Sequence, residues 1–209
     1  ARLIVDVGLA AASGLGSVIA AAATISSFAG ELRARTAYPV LARPLPRWSF
    51  VAGKFLGLWL AMLLVVAAMG IATAGVVWSF AGRVPDAFWP ALILSGVELA
   101  VVVAVSLLFA SLSAPALAAT FTAALLIAGN LSQDIATLAS RQEDGGARAA
   151  LGFLYQALPD LARLSLRTQA ANNLPVPTRY VGLGIGYGLL YAACALGVGM
   201  LVFARRRAV

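Results

Sequence analysis

Five apolar runs, each about as long as a membrane crossing, dominate this chain and leave few ways to fold it. They cover approximately Val5 to Ala29, Phe50 to Phe80, Trp89 to Leu112, Ala114 to Leu131 and Tyr180 to Ala204. Roughly twenty apolar residues in a helix cross the ~30 Å hydrocarbon layer of a bilayer. Of the 209 residues 62% are hydrophobic and 11% charged, with a mean hydropathy of +0.94, too little polar surface to cover a soluble globule. The expected fold is an all-α polytopic transmembrane helical bundle, one transmembrane domain over residues 1–209.

Charge sets the topology. A net charge of +7 would point to nucleic acid in a soluble protein, yet here the cations flank the apolar runs, which fits membrane head groups instead. No nucleic acid is expected as a partner. Arg33, Arg35, Arg43, Arg47 and Lys54 face a single local acid, Glu31, in the segment between the first two runs. Cations clustered between spans mark a cytoplasmic loop. With that loop inside, the spans alternate until Arg205, Arg206 and Arg207 also emerge inside. The N-terminus then lies outside, so an earlier span is expected before Ala1. Pro39, Pro44 and Pro46 keep the first run from continuing straight into the second. A short transverse helix over about 31–47 is the expected result.

The extracytoplasmic segment, about 132–178, is the one long polar stretch. Within it Leu151, Leu154, Tyr155, Leu158, Leu161 and Leu164 recur at helical spacing opposite Gln156, Asp160, Arg163 and Arg167. That pattern predicts an amphipathic helix, broken near Pro159, lying at the outer surface.

Glu31, Arg35-Thr36, Leu41-Ala42-Arg43-Pro44, Arg47 and Gly53-Lys54-Phe55-Leu56-Gly57 together resemble the first cytoplasmic loop of ABC-2 type transporter permeases. Farther along, Glu98, Ser113-Ala114-Pro115, Gly129-Asn130 with Asp134, and Leu158-Pro159-Asp160-Leu161 through Arg167 keep the family's order. Arg35 stands where the family often has Gly, and Asp160 and Ser165 stand where it more often has Asn. The resemblance implies that these five spans are spans two to six of a six-span unit. It also implies that the 31–47 elbow is a coupling helix, with Glu31, Arg33, Arg35, Thr36, Arg43, Pro44 and Arg47 meeting an ABC ATPase. The implied partners are two ATPase subunits, a second permease copy forming a homodimer, membrane lipids and an extracytoplasmic accessory protein. The implied location is the bacterial inner membrane.

Other motifs lead to exclusions. Gly182, Gly184, Gly186 and Gly188 lie inside a span with no preceding strand, so they are not a dinucleotide fingerprint. Paired four apart, as Gly182 with Gly186 and as Gly184 with Gly188, they predict close helix packing, and Gly53 and Gly57 repeat that geometry, as do Ser13 and Ser17. Gly53-Lys54 lacks the Gly and the Ser or Thr that a phosphate loop needs, since Trp48 and Phe55 stand there. ATP hydrolysis is therefore expected in a separate subunit, with ATP and Mg bound there and no cofactor in this chain. Asp144-Gly145-Gly146-Ala147-Arg148 is one residue short of a phosphatidyltransferase opening and lacks its downstream acids. With no His and only Cys194, no zinc or copper site is expected. Met62 and Met69 read as core or lipid-facing.

Glu98 is the polar exception. A carboxylate inside a span is costly unless it is paired, protonated or wetted, so it either ties helices together or serves the transport path. The expected function is the permease half of an ATP-driven transporter, exporting a lipid-like or amphiphilic substrate. The rivals are a noncatalytic scaffold that recruits an ATPase, and a secondary transporter driven by protons through Glu98. A lone intramembrane acid makes a poor relay for the latter.

Overall fold

The computed structural model describes residues 2–33, 47–132 and 159–205. Helix α1 (Arg2–Ala10) passes through a π-helical turn (Ala11–Leu15) into α2 (Gly16–Arg33); α3 is Arg47–Ala81, α4 Phe88–Leu112 and α5 Pro115–Asn130. Two short helices, α6 (Leu161–Leu164) and α7 (Arg167–Ala171), precede α8 (Thr178–Arg205). No strand occurs among the described residues. Four stretches are long and apolar enough to cross a membrane: Arg2–Gly30, Trp48–Ala81, Phe88–Leu112 and Thr178–Ala204. The fifth expected crossing is α5, whose 16 residues extend only about 24 Å at 1.5 Å per residue. It stops where the segment after Pro159 dips into the bundle.

The helix boundaries follow from local chemistry. Gly82 takes φ 68° and its N–H bonds to the Trp78 carbonyl at 2.8 Å, closing α3 in the left-handed geometry that glycine adopts most freely. Pro115 opens α5 at a position where a missing N–H costs nothing. Several hydroxyls within the helices are satisfied by the preceding turn: Thr24 donates to the Ala20 carbonyl at 2.6 Å and Ser106 to Val102 at 2.7 Å. The buried Thr122 hydroxyl of α5 has no such partner.

Helix α4 is the axis of the molecule. Every residue from Leu94 to Leu107 is buried, enclosed by α2, α3, α5 and α8. The helix most extensively packed on it, α8, presents a small-residue stripe: a side chain at Gly188 would collide with Val97, and a Cβ at Gly184 would lie 3.0 Å from Leu94. The glycine pair that packs is therefore Gly184 with Gly188. Gly182 and Gly186 are exposed with nothing within 4 Å, and so are Gly53 and Gly57 on α3. Among the described residues these four meet no helix partner, because their faces turn away from α4.

The bundle has two distinct ends. At one, Phe28, Phe50 and Phe203 form a triangle with ring centroids 5.8–6.2 Å apart, tying together the end of α2, the start of α3 and the end of α8. The 31–47 segment joins the chain there, and most of it lies outside the described residues. At the other end Asp6 of α1 pairs with Arg167 of α7 at 2.9 Å.

Candidate functional site

The π-helical turn determines what the first span can reach. A π turn holds one residue more than an α turn and so rotates whatever follows by about 100°. Val5, Leu9 and Ala12 before it, and Ser17, Ala20, Thr24 and Phe28 after it, are all buried toward the bundle. In an uninterrupted α-helix those two sets would drift onto different faces. The turn thus brings Ser17 to α4.

There Ser17 meets the one carboxylate buried in a span among the described residues. Glu98 is 3% exposed, and the Ser17 hydroxyl donates to its Oε1 at 3.3 Å. Its Oε2 is buried with no hydrogen-bond partner. Two residues before it, the Gly96 carbonyl accepts from the Trp59 indole Nε1–H at 3.0 Å, and a Cβ at Gly96 would lie 2.7 Å from Leu63. One turn of α4 is thereby clamped to α2 through Ser17 and to α3 through Trp59.

A second polar knot lies at the α6 end. Asp160 is 5% exposed and caps α6, its Oδ1 accepting from the Arg163 N–H at 3.1 Å and from the Ser132 hydroxyl at 2.8 Å. Its Oδ2 pairs with Arg163 Nε at 2.6 Å, and its own N–H donates to the Tyr187 hydroxyl at 2.9 Å. Tyr180 donates to the Arg163 carbonyl at 2.9 Å. Gly129 lets this segment approach, since a Cβ there would lie 2.8 Å from the Pro159 carbonyl. Two motif fragments thirty residues apart, Gly129-Asn130 and Pro159-Asp160-Leu161, are in contact. In the described part of the expected amphipathic helix Leu161 and Leu164 are buried, as its apolar face requires, and the bundle covers them. Asp160, assigned to the polar face, is buried as well, held by Ser132, Tyr187 and Arg163. The earlier part, through Leu158, lies outside the described residues.

Of the residues expected to meet an ATPase, Glu31 and Arg33 fall in the last turn of α2, Arg47 opens α3, and Arg35, Thr36, Arg43 and Pro44 lie outside the described residues. Ser17, Trp59, Ser132 and Tyr187 are the site residues that sequence reasoning did not assign. Hydroxyl and indole groups inside apolar runs were the available signal, though nothing in spacing pairs residues 81 positions apart, as Ser17 and Glu98 are.

An all-helical bundle with several membrane-length spans around a buried polar centre defines a multi-pass membrane protein. Residues 5–207 match a family model described as ABC-2 family transporter protein, and the chain belongs to that family. It is a transport membrane component and not itself the catalytic subunit. No curated protein and no solved structure matched the chain.

Proposed function

We propose that this chain is the permease subunit of an ATP-driven exporter whose substrate is lipid-like or amphiphilic. Family membership, which covers nearly the whole chain, is the observation that carries the reading and implies association with an ABC ATPase. ATPase subunits bind the end marked by the Phe28, Phe50 and Phe203 triangle, with residues 31–47 as the coupling helix. Glu31, Arg33, Arg35, Thr36, Arg43, Pro44 and Arg47 form the contact. Closure of the ATPases pushes the elbow, and α2, α3 and α8 move as one body because their ends are packed together. Two copies form the path, and the scarcity of charge along the spans suits an apolar or amphiphilic cargo. That end faces the bacterial cytoplasm, by the cation distribution.

Purification with the neighbouring gene products tests the reading. An ABC ATPase should copurify, and its hydrolysis in proteoliposomes should rise with one class of amphiphile. A copurifying ATPase that no amphiphile stimulates would favour the recruiting scaffold instead. Sidedness is checked by single-cysteine labelling in a Cys194→Ala background. Position 43 should react only from the inner face and position 167 only from the outer.

A further inference from the structure

The middle of the first span holds an idle donor and, close to it on α4, an idle acceptor. Ser13 and Ser17 lie four residues apart, yet only Ser17 is buried, and its hydroxyl holds Oε1 of Glu98. Ser13 is half-buried, and its hydroxyl makes no hydrogen bond among the described residues. Elsewhere the hydroxyls of Thr24, Thr73, Ser95 and Ser106 each donate to the carbonyl four residues back. Glu98 Oε2, meanwhile, is buried with no partner. In a regular α-helix residues four apart share a face, which would set both serines against the same carboxyl group.

The π-helical turn (Ala11–Leu15), which packs on α4, keeps Ser13 out of that place. Because the turn holds one extra residue, the registers before and after it differ by one. Ala12, buried in the register of α1, therefore stands where Ser13 would stand in the register of α2. Moving the turn about three residues toward the N-terminus would bring Ser13 into the place of Ala12, Ala12 into that of Ala11 and Ala11 into that of Ala10. Gly8, whose close approach to Thr73 leaves no room for a Cβ, would keep its contact, as would Gly16 and everything after it. The run Ala10-Ala11-Ala12 makes the first steps an exchange of alanine for alanine. The only new group in the core is the Ser13 hydroxyl, whose burial is costly unless it finds a partner. Glu98 Oε2 is that partner. The backbone bonding of the turn is already divided: the Gly16 N–H bonds to the Ala11 and Ser13 carbonyls and bypasses the Ala12 carbonyl that an α-helix would use.

We propose that the first span has two registers, and that the π turn moves between them to place one serine or two on Glu98. In one register Ser17 alone holds the carboxyl group. In the other, Ser13 pairs with Oε2 as well. Two hydroxyls hold α2 to α4 more firmly than one, so the position of the turn sets how tightly the first span grips the central helix. The flanking helices keep their packing in both registers, and the shift is independent of which substrate is moved.

Nuclear magnetic resonance of the full chain in lipid nanodiscs tests this. Serine labelled with 13C at the carbonyl, combined with glycine labelled with 15N, selects two peptide bonds in the sequence, Ser13–Gly14 and Ser95–Gly96. Saturation-transfer spectra at Gly14 should reveal a minor state populated at about 1–10%, exchanging on the millisecond scale of helix register shifts. Deleting Ala11 removes the extra residue on the N-terminal side of Ser13 and fixes the second register with both flanks in place. That variant should be recovered from the membrane near parental yield, with a single Gly14 signal at the position of the parent's minor state. Glu98→Leu removes the acceptor and should abolish the minor state. A single Gly14 state down to about 1%, or a minor state unchanged in Glu98→Leu, would overturn the proposal. So would an Ala11 deletion that fails to fold, because the second register could then not be packed.

Discussion

Glu98 spends stability that its surroundings do not return. Its one hydrogen bond, from Ser17, is long at 3.3 Å, and its Oε2 is buried without a partner. Side-chain hydrogen bonds between membrane helices average about 0.6 kcal/mol, whereas an unsatisfied buried polar atom costs about 1–3 kcal/mol. The balance is unfavourable, so a purely structural tie is a poor reason for a carboxylate here. Glu98→Leu should therefore leave the melting temperature unchanged or raise it, while substrate-stimulated ATP hydrolysis falls. Glu98→Gln should assemble normally and show the same loss of coupling. A Glu98→Leu protein destabilised by more than about 2 kcal/mol would mean the residue is a structural clamp after all. The sequence exposed Glu98 as an isolated acid in an apolar run, but Ser17 could be singled out there only as a small residue. Its role depends on the π turn, which realigns the first span and leaves no compositional mark.

At the scale of elements, the π turn and the Asp160 cap are the two devices that depart from regular helix. Deleting Gly14, which is exposed with nothing within 4 Å, should convert the π turn to an α turn and keep both flanks in register. Deleting Ala22 instead would rotate Thr24, Ile25 and Phe28 by about 100° relative to the part before it. The first deletion should be recovered from the membrane near parental yield and the second should not; equal yields would show that the turn sets no register. For the cap, Asp160→Asn keeps an acceptor for the Arg163 N–H and the Ser132 hydroxyl. It loses an ion pair whose arginine side chain is 58% exposed, worth no more than about 1 kcal/mol. Asp160→Ala removes the cap, about 1 kcal/mol, and strands the buried Ser132 hydroxyl, about 1–3 kcal/mol more. Thermal unfolding should rank parent, Asn and Ala in that order, with the larger step at Ala. Four of the five expected spans were legible because their length and hydropathy are local properties, whereas α5 is shorter than its apolar run suggested. What was not legible is which span is central: α4 is apolar all round, as a lipid-facing helix can also be, and only packing shows that it is enclosed. Likewise the leucines of 161–166 announced an apolar face without saying whether membrane or bundle would cover it.

Across the whole molecule, the two ends of the bundle are held by different chemistry. The α6 end is tied by Asp160, by Tyr187 and by the Asp6–Arg167 pair, while the opposite end is held by three aromatic rings. On the proposed coupling route, a push on the elbow would reach Glu98 along α2, through its Ser17 hydrogen bond, and along α3, through the Trp59 bond to Gly96. This route separates docking from transmission. Glu31→Ala or Arg35→Glu should weaken ATPase binding, more steeply as salt rises, because charged contacts at an aqueous interface are screened. Phe50→Ala should leave docking intact, since its half-buried ring packs on Phe28 and Phe203 inside the bundle. It should nevertheless reduce the stimulation of hydrolysis by substrate, because α3 would no longer move with α2 and α8. Pull-down affinity and stimulated hydrolysis, measured on the same reconstituted variants, distinguish the two effects. If Phe50→Ala retained full stimulation while Arg35→Glu bound ATPase as tightly as the parent at every salt concentration, neither the elbow nor the aromatic triangle would be part of the coupling path.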